Sequence, residues 1–112
     1  MAARHVRMPR LNVLRDVGWE NMRVISEDDK VFYILGYIAG KWKLTRRDGF
    51  GKPVPFSGGV CEKKICSGVL GDADIEVEDG FISVVVPIHM DDDSFSEFWS
   101  DDDGETWQKQ EL

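Results

Sequence analysis

Acidic side chains gather near the end of the chain, where residues 100–107 read SDDDGETW. Adjacent carboxylates could bind calcium, which prefers oxygen ligands, and the run from Asp91 to Asp93 offers the same donors. However, consecutive residues of an extended chain point apart, and the full spacing of a calcium-binding loop is absent. We therefore expect solvated acidic turns and no metal site.

The other residues that could do chemistry do not form a recognisable catalytic set. His5 and His89 lie far apart in the sequence, and nothing specifies a Ser–His–acid arrangement around either of them. The stretch GDADIEVEDG lacks the ending of a phosphate-binding loop. Acids are so numerous that no pair can be singled out for glycoside hydrolysis. The sequence predicts no catalytic residue and no cofactor.

The two cysteines, Cys61 and Cys66, lie in the stretch CEKKIC. At this spacing in a strand they would point to opposite faces, and two ligands alone are a weak indication of zinc. We expect free thiols in a reducing compartment rather than a disulfide.

Charge is divided unevenly along the chain. Residues 1–70 hold 13 Lys/Arg and 7 Asp/Glu, a charge of +6, whereas residues 71–112 hold 1 and 14, a charge of −13, which gives −7 in total. The overall negative charge opposes a polyanion at long range, so we do not expect nucleic-acid binding. Oppositely charged halves favour head-to-tail contact between copies of the chain, which predicts a homo-oligomer.

A chain of 112 residues suits one domain with one core. Its longest apolar runs, such as VFYILGYIAG and FISVVVPI, are shorter than the ~18 residues that a membrane-spanning helix needs. The first residues, MAARHVRMPR, lack the apolar centre of a signal peptide. We expect no membrane span and a cytoplasmic or virion-associated location.

Short β-branched and aromatic runs, separated by Asp, Gly and Lys turns, must position all of these residues. No stretch has a sustained helical period with caps, so the sequence predicts an all-β fold with little helix. Before these runs, residues 1–18 form a basic arm that we expect to be disordered or to lie on a neighbouring subunit. The predicted strands are 22–26, 31–39, 41–45, 59–66, 74–78, 81–89, 95–100 and 107–112.

The two halves of the chain repeat one pattern. Val31 and Phe81 open matching long runs 50 residues apart, and the loop 50–59 joins the halves. A repeat of this length with about four strands has the size of one propeller blade. Residues 19–112 are therefore predicted to form a single domain of antiparallel sheets with two four-stranded, blade-like units, about 20–55 and 72–112. The alternative is a small β-sandwich.

Five residues of the acidic turn match a known pattern. Ser100, Asp102, Gly104, Thr106 and Trp107 follow the order Ser-x-Asp-x-Gly-x-Thr-Trp. This order resembles the Asp-box, or BNR repeat, of sialidase-like β-propeller proteins. In that family the box forms the tight turn between the third and fourth strands of a blade.

Each matched residue has a physical reason to stand where it does. Asp102 can accept hydrogen bonds from backbone N–H groups of its own turn, and Gly104 can adopt a positive φ. Thr106 can bond locally, and Trp107 can bury a large ring while its N–H finds a partner. We expect a structural fastener, meaning a turn whose own side chains hold it rigid.

The corresponding turn of the first half, LTRRDGFGKPV, keeps only Thr45, Asp48 and Gly49 of the pattern. The resemblance to sialidases implies an arginine cluster, a tyrosine nucleophile with a glutamate partner and an aspartate acid/base, gathered from several blades. Here Tyr33 and Tyr37 lie on one face of an apolar run, which favours a place in the core. No catalytic residue can be carried over.

The leading functional hypothesis is a non-catalytic binding or assembly module that self-associates through its sheet edges. Several copies of two blades would close one propeller ring. The module would bind a glycan or serve as a virion or tail structural component. One alternative is a sialidase-like glycoside hydrolase fragment or subunit, and another is a monomeric sandwich without a ligand. Candidate sugar-stacking aromatics are Trp19, Trp42, Phe50 and Trp99.

Overall fold

The computed structural model describes residues 3–7, 11–90 and 94–112. The all-β prediction is confirmed, and α1 is the one short helix within these residues. No helix in this part of the chain is long and apolar enough to cross a membrane. The elements are β1 (Arg4–His5), α1 (Asn12–Asp16), β2 (Glu20–Ser26), β3 (Val31–Ile38), β4 (Lys41–Asp48), β5 (Glu62–Ser67), β6 (Asp74–Glu78), β7 (Phe81–Pro87), β8 (Phe95–Ser100) and β9 (Gln108–Glu111).

The strands form two antiparallel sheets. The first sheet has the order β1-β2-β3-β4-β5 and the second the order β6-β7-β8-β9, so every strand pairs with its neighbour in the sequence. The sheets do not close into a barrel, and a sandwich-like arrangement describes them. The second sheet has the four strands expected of one unit, and Val31 and Phe81 open β3 and β7 as the repeat predicted. The first sheet has five strands instead of four, because β1 and β5 lie outside the predicted range 20–55 and pair with its edges.

The main core lies between the two sheets. Alternate residues of each central strand point into it, as Tyr33 and Leu35 do from β3 and Ile82 and Val84 from β7. Both sheets contribute to the same core, so it closes within a single chain. The other members are Ile25, Trp42, Leu44, Phe56, Ile65, Ala73, Ile75, Val77, Val86 and Phe98.

A second, smaller core covers the outer face of the first sheet. Leu14 from α1 and Trp19 pack there against Val24, Phe32 and Ile34. The strand β3 is therefore buried on both faces, which explains why its sequence reads as a continuous apolar run rather than an alternating one. Because α1 and Trp19 cover the outer face of the first sheet, the outer face of the second sheet is the more open of the two.

The basic arm lies on its own chain. Arg4 pairs with Ser26 and His5 with Ile25, so β1 covers the end of β2. The backbone N–H of Ala3 donates to the carbonyl of Val77 in the second sheet, at 3.3 Å. These contacts order the described residues 3–7 on their own chain, which differs from the expectation of a disordered arm, and an arm that lies on a neighbouring subunit stays a prediction. The physical reason is that β2 would otherwise present an unpaired edge. Residues 1, 2 and 8–10 lie outside the described residues.

Candidate functional site

The acidic turn SDDDGETW joins β8 to β9, the third and fourth strands of the second sheet. Ser100 Oγ donates to Asp102 Oδ1 at 2.7 Å and accepts from the Gly104 N–H at 2.8 Å. Asp102 also accepts from the Thr106 N–H at 2.9 Å and from the Thr106 hydroxyl. The Trp107 indole N–H donates to the Gly104 carbonyl at 2.9 Å. All five matched residues thus take part in one local network.

These bonds hold Asp102 in its charged form. Donation from the Thr106 hydroxyl, then from the Thr106 N–H and from Ser100, lowers the pKa of Asp102 to about 2. The carboxylate accepts bonds from its own turn and is an internal brace of that turn.

The turn also packs against the loop between β4 and β5. Gly104 has φ 85°, and a Cβ at this position would lie 2.7 Å from the Phe56 ring, so only glycine fits here. The preceding residue, Asp103, is also left-handed, with φ 59°. Its N–H donates to the Gly80 carbonyl and its own carbonyl accepts from the Ser57 N–H. The half-buried Trp107 packs on the main core.

A buried ion pair ties this turn to the first sheet. Arg46 Nη1 lies 2.6 Å from Asp103 Oδ1, and Nη2 lies 3.1 Å from Oδ2. The Arg46 side chain is only 8 % exposed, whereas that of Asp103 is 37 % exposed. This two-pronged geometry fixes direction as well as distance.

Every N–H of the Arg46 guanidinium has a partner. Besides the two bonds to Asp103, Nη1 donates to the Tyr33 hydroxyl, Nη2 to the Pro55 carbonyl and Nε to the Val54 carbonyl. The group also lies over the Phe56 ring, 4.6 Å from its centroid. A guanidinium has five N–H donors, so none is left for a substrate carboxylate.

The pKa directions agree with a structural role. Burial alone would lower the pKa of Arg46, but the hydrogen bonds with Asp103 and Tyr33 outweigh it and the pKa is raised. Burial also raises the pKa of Tyr33, which keeps the phenol protonated. A tyrosine nucleophile needs the opposite shift. The cluster therefore joins the sheets and does not resemble a catalytic centre.

Two further turns of the first sheet are held by the same type of acid. Asp28, between β2 and β3, accepts from the N–H groups of Val31 at 3.0 Å and Lys30 at 2.9 Å, and these bonds lower its pKa. Asp48, in the shortened box pattern, accepts from the N–H groups of Phe50 at 2.8 Å and Lys52 at 3.0 Å. An acid-braced turn thus follows both β2 and β4.

Two of the four candidate stacking aromatics are unavailable. Trp19 is 4 % exposed in the smaller core, and Trp42 is fully buried in the main core. Neither offers a ring face to a ligand, so their assignment as sugar-stacking residues was wrong. Phe50 is 78 % exposed in the loop after β4, and Trp99 is half-buried on β8.

Trp99 lies on the outer face of the second sheet. Its neighbours Phe98 and Ser100 are buried on the inner side, which places Trp99 outward by alternation. In register with it are Ser83 on β7, Gln108 on β9 and, beyond Ser83, Glu76 on β6. The next row along the strands is Asp74, Val85, Glu97 and Gln110. We call these eight residues the Trp99 face.

The polar groups of this face surround its aromatic ring. Ser83 Oγ donates to Glu97 Oε2 at 2.8 Å, which fixes the carboxylate beside the Trp99 row. Directly opposed residues of neighbouring strands lie close enough to touch, so Ser83 and Gln108 flank Trp99 on its two sides. The result is an outward aromatic side chain bordered by hydroxyl, amide and carboxylate groups.

No group of three or more His, Cys, Asp or Glu side chains in residues 3–7, 11–90 and 94–112 is arranged to hold a metal ion. Asp102 and Asp103 point apart, one into its own turn and one to Arg46. The run from Asp91 to Asp93 lies outside the described residues. Cys61 and Cys66 are free thiols.

Sequence reasoning did not anticipate the Arg46–Asp103 pair. The two residues are 57 positions apart and belong to different sheets, and no local pattern connects them. The one available indication was that Asp103 stands between two residues of the box, where its backbone is constrained.

Comparisons of the chain with protein-family models, with curated protein sequences and with solved structures each found no match. Inferences about function therefore start from the chemistry of the surfaces described above.

Replacing Arg46 with methionine tests the joint between the sheets. The variant keeps much of the side chain's length but removes the charge and every donor, so Asp103 and Tyr33 lose their shared partner. We expect the free energy of unfolding to fall by about 3 kcal/mol. Urea denaturation monitored by circular dichroism measures it. The control, Lys43→Met, breaks the more exposed Lys43–Glu62 pair and should change stability by less than about 0.5 kcal/mol. Equal losses in both variants would contradict a joint at Arg46.

Asp102→Asn tests the charged brace through pH. A carboxyl whose folded pKa is about 2, below the ordinary 3.8, stabilises the fold fully above the ordinary value and loses this effect as pH falls towards 2. We expect wild type to be more stable than the variant at pH 6. The difference in their free energies of unfolding should shrink between about pH 4 and 2, because the Asp102 carboxylate becomes protonated in that range. Urea titrations at several pH values measure the gap. Asp101→Asn, at an exposed position beside the brace, is the matched control. A gap independent of pH would contradict the brace.

Proposed function

We propose that this protein is a non-catalytic binding module that holds a neutral glycan on the Trp99 face. The observation that carries the proposal is the position of Trp99, half-buried in the middle strands of an open sheet face with polar side chains on both sides.

The chemistry of this face suits a sugar. A pyranose ring has one C–H-rich face that packs against an aromatic ring, and its hydroxyls at the rim need donors and acceptors. Gln108 and Gln110 supply amides, which both donate and accept, and Glu97 supplies an acceptor already oriented by Ser83. Trp99 is held by the sheet, so little freedom is lost on binding.

The charge of the face selects against acidic sugars. Four carboxylates point outward from the second sheet, and the outward residues of its described strands include no lysine or arginine. A sialic acid or uronic acid carboxylate would be repelled there. The outward carboxylates are Asp74, Glu76, Glu78 and Glu97.

Two observations support a non-catalytic role over a sialidase-like fragment. Arg46, the buried arginine among the described residues, donates all its N–H groups to partners within the protein. The buried Tyr33 bonds to that arginine and has a raised pKa. Both residue types that a sialidase would use are structural at these positions.

Trp99→Ala tests the glycan platform. We expect a glycan array to identify neutral oligosaccharides, and the variant to bind the best of them at least about tenfold more weakly, because the stacking surface is lost. Isothermal titration calorimetry measures the affinity, and a melting curve confirms that the variant folds. Phe50→Ala removes an exposed aromatic outside the face and is the matched control. Binding of acidic glycans only, or equal affinity of Trp99→Ala and wild type, would overturn the proposal.

A second candidate function, self-assembly, is favoured by the way charge is distributed between the layers. The segment with charge +6 forms the first sheet, and the segment with charge −13 forms the second. On the outer side of the first sheet Lys41, Lys43 and Lys64 accompany β4 and β5, whereas carboxylates occupy the Trp99 face. Copies stacked first sheet on second sheet would place opposite charges together in a heterologous contact.

Light scattering behind a sizing column tests this assembly. We expect a dimer or larger species at low ionic strength that dissociates as salt is raised to about 0.5 M, because salt screens exposed charges. Charge reversal by Glu76→Lys should weaken the association. A monomer at low salt and high protein concentration would exclude it, without affecting the glycan proposal.

A further inference from the structure

The two long edges of the sandwich are built differently. At the β2/β6 edge, Asn21 Nδ2 donates to the Gly71 carbonyl at 2.9 Å and Arg23 Nε to the Ala73 carbonyl at 3.1 Å. At the opposite edge, no hydrogen bond joins β5 to β9 within the described residues. The sheets are separated there by a slot of about 200 Å³, lined by Lys63, Ile65, Phe98, Trp107, Gln108 and Lys109.

The floor of this slot is apolar. Ile65 is 8 % exposed and Phe98 is 9 % exposed, and both belong to the main core. The half-buried Trp107 forms a side of the slot, and its indole N–H is already bonded to the Gly104 carbonyl. The ring therefore presents its apolar surface to the slot, and its N–H needs no hydrogen-bond acceptor from a ligand.

The rim of the slot is positively charged. Lys63 on β5 and Lys109 on β9 both line it. Lys63 makes no ion pair or hydrogen bond with its side chain among the described residues. The Lys109 ammonium lies 5.8 Å from the centroid of the Phe98 ring and 3.7 Å from a carboxylate oxygen of the exposed Glu111. Two lysines, one from each sheet, thus border an apolar floor.

We propose that this slot binds a small apolar carboxylate, with the apolar body between Ile65, Phe98 and Trp107 and the carboxylate between Lys63 and Lys109. A cavity of ~150 Å³ holds one benzene ring, so the slot has room for one ring or a short alkyl chain with its acid group. A neutral ligand would leave the Lys63 ammonium without a counter-charge, and a cation would be repelled by both lysines. The site lies at the edge of the sandwich. It binds an anion, whereas the Trp99 face selects against acidic ligands.

Benzoate is the probe for a direct test by NMR. The Trp107 indole N–H reports on the slot, and sodium benzoate is titrated against benzyl alcohol at constant ionic strength. We expect a saturable shift of the Trp107 signal with a Kd in the millimolar range for benzoate, and at least about tenfold weaker binding of benzyl alcohol.

Three variants distinguish the slot from general attraction to lysines. The double variant Lys63→Gln/Lys109→Gln should weaken benzoate binding at least about tenfold. Lys64→Gln is the matched control, because Lys64 points to the other face of β5 and should leave the affinity unchanged. Ile65→Trp keeps both charges but fills the slot, and should abolish binding. Unchanged binding in the double variant, or a non-saturating shift, would overturn the proposal.

Two sources of the ligand share this chemistry, a free small acid and the carboxyl terminus of a peptide that ends in an apolar residue. A tripeptide ending in phenylalanine, compared with its C-terminal amide, separates them. Tighter binding of the free-acid peptide than of benzoate supports a peptide terminus, and weaker binding supports a free acid. Equal binding of the peptide acid and its amide would overturn the role of the carboxylate.

Discussion

Burying one guanidinium group determines how the two sheets of this protein meet. A charge that is removed from water is tolerated only when each of its donors has a partner. Arg46 satisfies this condition with groups from three places: Tyr33 on β3, the carbonyls of Val54 and Pro55, and Asp103 in the turn between β8 and β9. The positions of these partners restrict the angle between the two sheets and the position of one sheet over the other. The acidic turn is rigid because its own side chains brace it, and this rigidity lets Asp103 serve as a fixed partner.

Much of the fold could be predicted because its determinants are local. The alternation of apolar residues and the turn residues between them gave the positions of the strands, and the spacing within SDDDGETW indicated a braced turn between β8 and β9. Three features could not be predicted in this way. The Arg46–Asp103 pair joins positions 57 apart, the pairing of Arg4 with Ser26 depends on an uncovered edge, and the burial of Trp19 and Trp42 depends on which faces the sheets present to each other.

The two surfaces proposed for binding follow from the way each sheet is covered. The chain uses its own helix and Trp19 to bury the outer face of the first sheet. The outer face of the second sheet carries carboxylates, amides and one half-buried tryptophan, which is the composition of a binding surface rather than of a core. The slot at the β5/β9 edge has the opposite character, with lysines around an apolar floor. One small sandwich thus offers two chemically distinct surfaces.

The neighbour-to-neighbour order of the strands has a consequence for folding kinetics. Each ladder joins strands that are consecutive in the chain, so most loops to be closed on the way to either sheet are short and entropically inexpensive. Each sheet can begin to assemble while the other is still unstructured. The contact between Arg46 and Asp103 has to wait until both have formed. We therefore expect the barrier to folding to lie at the docking of two partly formed meanders, with mutations at the joint acting mainly on the rate of unfolding.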